Sequence, residues 1–139
     1  MLGVFKSKYV DVIENNLQWF PGQINQAIID LTKSCGRVVR SVDVSTGIGT
    51  DVEAQKQVLI GDLPDIVVGT PSRVLAHLKA GHIDLSESLE TLVIDEADLI
   101  FSFGHESDLK AILSSNLPST YQVSIFKVMH VFCLGEWYY

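Results

Sequence analysis

Apolar residues fall along this chain in two alternating rhythms, and the alternation predicts its architecture. Ile24, Ala27, Ile28 and Leu31 recur at helical spacing, which predicts an amphipathic helix over residues 23 to about 34, with Gly36 suited to its C-terminal end. Residues 37–44 follow, rich in valine, and read as a strand. After the polar loop 45–50 comes a short helix over 52–60, closed by Gly61. The run 66–68 is a strand. Thr70 as N-cap and Pro71 at the first helical position then start a helix reaching about Lys79, followed by a turn around Gly81. A strand over 91–95, a helix over 105–115 and a strand over 122–126 complete the pattern.

Strands separated by helices in this order are βαβ units, which require a parallel sheet with right-handed crossovers. The fold class is therefore α/β. No repeat, low-complexity tract or linker interrupts the 139 residues, so the chain reads as a single domain, 1–139.

Composition narrows the function. An apolar fraction of 47% and a charged fraction of 19% are ordinary for a globular domain. A net charge of −7 argues against a broadly basic nucleic-acid surface, though not against a local site built on a helix N-terminus and a few arginines. Cys35 and Cys133 are far apart and form no CxxC, so neither a disulfide framework nor a zinc site is expected, and a reducing compartment fits. No run is long enough to span a membrane, and Asp11 and Glu14 break any signal-peptide core after Lys6 and Lys8. A soluble, intracellular protein is the expectation. His77, His82, His105 and His130 show no HExxH or i,i+4 pairing and read as surface or helix-face residues. Trp19 beside Phe20 reads as local packing. No G-x-S-x-G elbow supports a hydrolase triad.

Two segments carry chemistry. Leu92 to Asp98 reads L-V-I-D-E-A-D: an apolar run, of the kind buried on both faces of a parallel sheet, that ends in three acids within four residues. Carboxylates at the C-terminal end of such a strand lie in the crevice where open α/β sheets bind ligands. Asp95 and Glu96 match a Walker B element, in which the aspartate helps to hold Mg²⁺ and the glutamate polarises an attacking water. Acids that merely cap the next helix would give the same short run. Upstream, Gly69-Thr70-Pro71-Ser72-Arg73 follows another apolar strand. Its helix start presents unsatisfied N–H groups beside Arg73, a small phosphate-binding corner.

At this separation the two segments closely resemble the first RecA-like domain of DEAD-box RNA helicases, down to the Asp95-Glu96-Ala97-Asp98 tetrad. Ser72, where most of the family has glycine, and Leu99-Ile100-Phe101-Ser102-Phe103-Gly104 look like the nucleolar members that act in large ribosomal subunit assembly. The resemblance implies a RecA-like P-loop NTPase fold and a function in ATP hydrolysis coupled to RNA unwinding. It implies Asp95 on Mg²⁺, Glu96 on the attacking water and Asp98 coupling the ATP site to neighbouring motifs. Thr70, Pro71 and Arg73 would lie against the RNA backbone. It further implies ATP and Mg²⁺ as cofactors, RNA and pre-ribosomal particles as partners, and a nuclear, nucleolar location, or otherwise a cytoplasmic one.

The resemblance covers about 23–126 and leaves 1–22 and 127–139 divergent. No G-x-x-x-x-G-K-[ST] is present, so the Walker A strand and loop are missing and the domain is incomplete. The family's adenine-reading glutamine motif has no counterpart. Leu17-Gln18-Trp19-Phe20-Pro21-Gly22 stands where its P-T-R-E-L-A motif would, and Lys127-Val128-Met129 where its Ser-Ala-Thr would. The family's second RecA-like domain is expected to be absent from this product. A truncated, alternatively spliced or mis-predicted product of a helicase gene is the expected origin. The expectation is a helicase fragment that neither hydrolyses ATP nor unwinds RNA alone. The competing readings are a non-catalytic module that binds RNA or a protein partner, and a product that does not fold stably. Residues 123–134, rich in β-formers and interrupted only by Lys127, are the expected aggregation-prone segment.

Overall fold

The computed structural model describes residues 2–3, 11–13, 21–35, 38–45, 51–95 and 97–125. In chain order these form β1 (Leu2–Gly3), β2 (Asp11–Ile13), α1 (Pro21–Thr32), β3 (Ser41–Asp43), α2 (Val52–Asp62) and β4 (Ile66–Gly69). Then come α3 (Pro71–Lys79), β5 (Thr91–Ile94), α4 (Ala97–Ser102), α5 (Glu106–Leu113) and β6 (Gln122–Ile125). Trp19, His130, Cys133, the loop residues 46–50 and the tail from Phe126 onward lie outside the described residues. No described helix is long and apolar enough to cross a membrane.

The sheet runs β3-β4-β2-β5-β6, and every neighbouring pair along that path is parallel. Among the described strands only β1 is antiparallel, a departure from the all-parallel expectation. Leu2 and Ile13 are both registered against Gly69 and Ile94, so β1 and β2 address one slot between β4 and β5. A slot between two strands has room for one ladder. Segments of two and three residues carry too little hydrophobic pattern to pin a register there.

The two faces of the sheet are covered unequally. On one, Val67, Leu92 and Ile94 pack with Leu59 of α2, Val74 and Leu75 of α3, Ile100 of α4, and Leu109 and Ile112 of α5. Ile83, Leu85 and Leu89, from the connection between α3 and β5, complete this core. On the other, Ile66 and Val68 pack with Ile28 of α1 and with Val39. Opposite faces follow from the two-residue alternation of a strand. α1 packs on β3 and β4, so β4 is buried throughout while Thr91 and Val93 of β5 stay half-buried. The L-V-I run is thus sealed on one face only, against the expectation of two. At the end of the sheet, Val123 and Ile125 of β6 are exposed.

Several boundaries differ from the sequence reading for local reasons. α1 begins two residues early, where Pro21 suits the first turn. β3 is shorter because Arg40 turns aside: its N–H donates to Asp65 Oδ2 (3.0 Å) and its Nη1 to the Asp62 carbonyl (2.8 Å), leaving Val38 exposed. β1, β2 and α4 are elements the sequence reading did not include. α2 is capped by Asp51, whose side chain accepts from the Glu53 N–H, but it runs through Gly61 to Asp62. The left-handed residue is Leu63, at φ 43° and ψ 67°. Pro64 follows, and the right-handed helical region is disfavoured for a residue before proline, so the chain exits there rather than at the glycine. An L side chain in this region costs about 1–2 kcal/mol. Leu63→Gly is therefore expected to stabilise the fold by up to about 1 kcal/mol, after allowing for the greater freedom of glycine in the unfolded chain. Urea unfolding checks this, and a loss of stability would mean that Leu63 contributes more by packing than it costs in strain.

Candidate functional site

Parallel strands bring the ends of β3, β4 and β5 to one edge of the sheet. Asp43 is registered with Val68, and Gly69 and Ile94 share a level through Ile13. This edge collects Val44 and Ser45, then Thr70 with the start of α3, then Asp95. β4 and β5 are separated by one strand, so the two motifs stand about 10 Å apart across the sheet, two strand spacings. They share an edge as the sequence implied, but they do not touch through their strands.

Gly69 lets the first motif form. A Cβ there would come within 2.6 Å of Val44 Cγ2 and 3.1 Å of Val74 Cγ2, so β3 and α3 close tightly over this residue. Thr70 is extended (φ −81°, ψ 154°), and its carbonyl accepts the N–H groups of Arg73 and Val74, opening the helix. Its hydroxyl makes no cap; it lies 3.4 Å from the Ser72 hydroxyl. Pro71 is buried at the first helical position. Thr70 is half-buried and Ser72 exposed, so the corner opens to solvent at the helix N-terminus.

Arg73 is turned inward. Its Nε donates to the Val44 carbonyl (3.2 Å) and its Nη2 to Gln55 Oε1 (2.7 Å), which ties α3 to β3 and α2. Gln55 Oε1 also meets His77 Nε2 at 2.9 Å, and His77 Nδ1 lies 3.2 Å from His82 Nδ1. His82 Nε2 in turn lies 3.4 Å from Glu53 Oε2. The expectation was of surface or helix-face residues; His77 lies on the buried face of α3, and His82 is buried in the turn after it. The cause is the end of α3. Gly81 is left-handed (φ 70°), and the Gly81 and His82 N–H groups donate to the Leu78 and His77 carbonyls, a Schellman closure. That closure folds residue 82 back over residue 77. Burial, then the nearby charges of Arg73 and His82, push the His77 pKa down to about 4, so the ring is neutral at physiological pH.

Asp95 is half-buried immediately after β5. Glu96 lies outside the described residues, and Asp98 is placed only by its backbone, as the second residue of α4. Among the described residues, no group of three or more His, Cys, Asp and Glu side chains converges to hold a metal. Asp95 presents a single carboxylate at this edge, and a Mg²⁺ ion bound by one or two carboxylates normally shares its shell with substrate phosphates.

The sequence reading missed Gln55, His77 and His82 as partners of the Arg73 corner. A signal was present: a histidine in the last turn of a helix, a left-handed glycine and a second histidine five residues on are the spacing a Schellman closure brings together.

Comparison with known proteins agrees with this geometry. The model of the DEAD/DEAH box helicase family matches residues 23–127. ATP-dependent RNA helicase dbp9 of Emericella nidulans is 42% identical over 96 residues, which cover 69% of this chain and 15% of the relative. The Schizosaccharomyces pombe protein of the same name gives the same identity and coverage. The chain thus spans 15% of the length of these relatives. Among solved structures, a hypothetical ATP-dependent RNA helicase from Sulfolobus tokodaii superposes with a TM-score of 0.68 at 32% identity, covering 86% of this chain and 33% of that one. The yeast DEAD-box splicing factor Prp28 gives 0.73 at 24% identity, with 88% and 28% covered, and shows the fold alone. The architecture is a partial RecA-like domain. With the family model matched over most of its length, and T-P-x-R and D-E-A-D ending two strands at one sheet edge, this chain belongs to the DEAD/DEAH box helicase family.

Proposed function

We propose that this polypeptide is a piece of a DEAD-box ATP-dependent RNA helicase that retains the RNA-facing corner of the first RecA-like domain but does not turn over ATP by itself. The observation that carries the reading is the pairing of the Thr70-Pro71-Arg73 corner with a sequence that contains no G-x-x-x-x-G-K-[ST]. In this reading Thr70, Pro71 and Arg73 meet the RNA backbone at the open helix N-terminus, where phosphate is favoured. Asp95 is the residue for Mg²⁺, Glu96 for the attacking water and Asp98 for coupling to the neighbouring motifs. ATP and Mg²⁺ would supply the phosphoryl chemistry in a complete helicase. The 139 residues contain no Walker A lysine to hold the β- and γ-phosphates, so no hydrolytic step is derived for them. By likeness to the nucleolar members, the setting is ribosome assembly in the nucleus, with pre-ribosomal particles as partners.

The test is ATP turnover by the purified chain with and without single-stranded RNA. No RNA-stimulated turnover is expected. RNA-stimulated turnover that Glu96→Gln abolishes would overturn the proposal. A non-catalytic RNA-binding module is the second reading, favoured by the inward bracing of Arg73, which holds the corner without help from nucleotide. Salt-dependent RNA binding that is unaffected by ATP and weakened in Thr70→Ala supports it.

A further inference from the structure

Arg73 is held along one edge. A guanidinium is planar, with five N–H donors in a fixed fork and no acceptor. Its side edge joins Nε to one Nη group, and its end joins the two Nη groups. In Arg73 the side edge is committed within the protein: Nε donates to the Val44 carbonyl at 3.2 Å and Nη2 to Gln55 Oε1 at 2.7 Å. The two acceptors come from different elements, the residue after β3 and α2, so together they fix the plane of the group as well as its place. One bond alone would leave it free to swing.

The Gln55 acceptor is itself held in one orientation. An amide can turn over, exchanging its oxygen for an NH₂ group. Here the atom 2.7 Å from Arg73 Nη2 faces a pure donor, so it is the oxygen. The same oxygen lies 2.9 Å from His77 Nε2, which therefore carries hydrogen and donates to it. Burial keeps the His77 ring neutral, so one tautomer meets the need. Arg73 and His77 are four residues apart and share a face of α3, and Gln55 reaches across from α2 to accept from both. Turned over, the amide would set its N–H groups against two donors. Gln55 is 8% exposed and His77 0%, so water offers little relief.

We propose that Gln55, its amide oriented by His77, is a positioning residue that sets the plane in which Arg73 meets a phosphate of RNA. That Arg73 meets RNA rests on the function proposed above; the bracing of the guanidinium does not. A bidentate phosphate takes the end of the fork, Nη1 with the second Nη2 hydrogen, displacing whatever contact that end makes in the unbound chain. With the side edge fixed, that end is already oriented, and less freedom is lost on binding. Without Gln55, the Val44 contact is what remains of the two side-edge bonds, and the phosphate must order the group itself.

The experiment is a double-mutant cycle on the full chain, reading affinity for single-stranded RNA, with ¹⁵N NMR of the Arg73 Nη groups beside it. Gln55→Met, which keeps the length of the side chain and removes the acceptor, is expected to weaken RNA binding about tenfold, one charge-assisted contact's worth. In an Arg73→Ala background the same change is expected to cost nothing further. An equal loss in both backgrounds would mean that Gln55 supports the fold rather than Arg73. No loss in the natural chain would mean that it supports neither, and either result overturns the proposal. The Nη groups are expected as separate resonances in the natural chain and in Gln55→Glu, whose carboxylate still accepts from both donors. In Gln55→Met they are expected to average. Separate resonances in Gln55→Met, or averaged ones in Gln55→Glu, overturn the bracing whether or not RNA is bound. No RNA binding by the natural chain, with the NMR contrast intact, sinks the RNA reading and leaves the bracing standing.

Discussion

Truncating Leu92 to alanine is expected to remove about 3 kcal/mol of folding stability, within the 2–5 kcal/mol typical of emptying a fully buried leucine site. Leu92 is 0% exposed and belongs to the main core with Val67, Ile94 and Ile112. Its neighbours come from helices and strands that pack it from several directions, so the site has little freedom to collapse around the void. Val93 lies on the other, thinly covered face of the same strand and is half-buried. Val93→Ala is expected to cost about 1 kcal/mol, since fewer packed atoms are lost there. A domain has about 5–15 kcal/mol in all, so the first change threatens folding and the second does not. Urea unfolding of the two variants makes the comparison. Equal losses would mean that both faces of β5 are sealed, contrary to the structure. The result bears on function because Leu92 stands three residues before Asp95, and β5 is what fixes the position of that carboxylate.

Acid should weaken this fold before its carboxylates are titrated. His77 has a native pKa of about 4 against an ordinary value of 6.5. Between these values the unfolded chain binds a proton that the native state refuses, so stability falls as pH falls. The contribution is fully present above pH 6.5 and is lost on the way down to pH 4, a total of about 3 kcal/mol. Asp30 and Glu53 also have lowered pKa values, the first from its hydrogen bonds with Lys33 and Gln26 and the second from its bond with Lys56. Both start below 4.5, so their effects arrive later than most of the His77 effect. Unfolding free energies at pH 7.5, 6.0 and 4.5, for the natural chain and for His77→Leu, separate the two. The variant is less stable at neutral pH because Gln55 and His82 lose a partner, yet its stability should be much flatter over this range. An unchanged slope in the variant would move the acid sensitivity elsewhere.

Much of the fold was legible because the local signals agreed with one another. Residues 71–79 carry a Thr-Pro start, an apolar stripe and a glycine two residues past the end, and α3 has those bounds. The order of strands and helices followed from alternating periodicities, and with it the placing of both motifs at the C-terminal ends of strands. Reading failed where a distant or a neighbouring residue overruled a local one. Gly61 looked like a helix stop, but Pro64 fixes the exit one residue earlier in its own sequence context, at Leu63. The inward commitment of Arg73 was invisible because its partners Val44 and Gln55 lie 29 and 18 residues upstream, and only the fold brings them near. His77 and His82 were judged by metal-ligand spacings, which test for an ion rather than for each other.

The unequal covering of the sheet also decides how the native molecule opens. Resistance to local unfolding follows the apolar surface that each segment must expose to come apart. The segment from β4 through α3 to β5 is laced to α5 by the larger core, and it opens only with the whole domain. α1 is held by Ile28 against Ile66 and Val68, a far smaller seam, and can lift away while the rest persists, whereas β3 is tied to the larger core through Val42 and Val44. Val44 and Arg73, joined by the hydrogen bond from Arg73 Nε to the Val44 carbonyl, belong to the slow half, since Val44 is buried in the larger core. The motif that would grip RNA thus rests on the slow half of the molecule, and the opening of α1 leaves it in place.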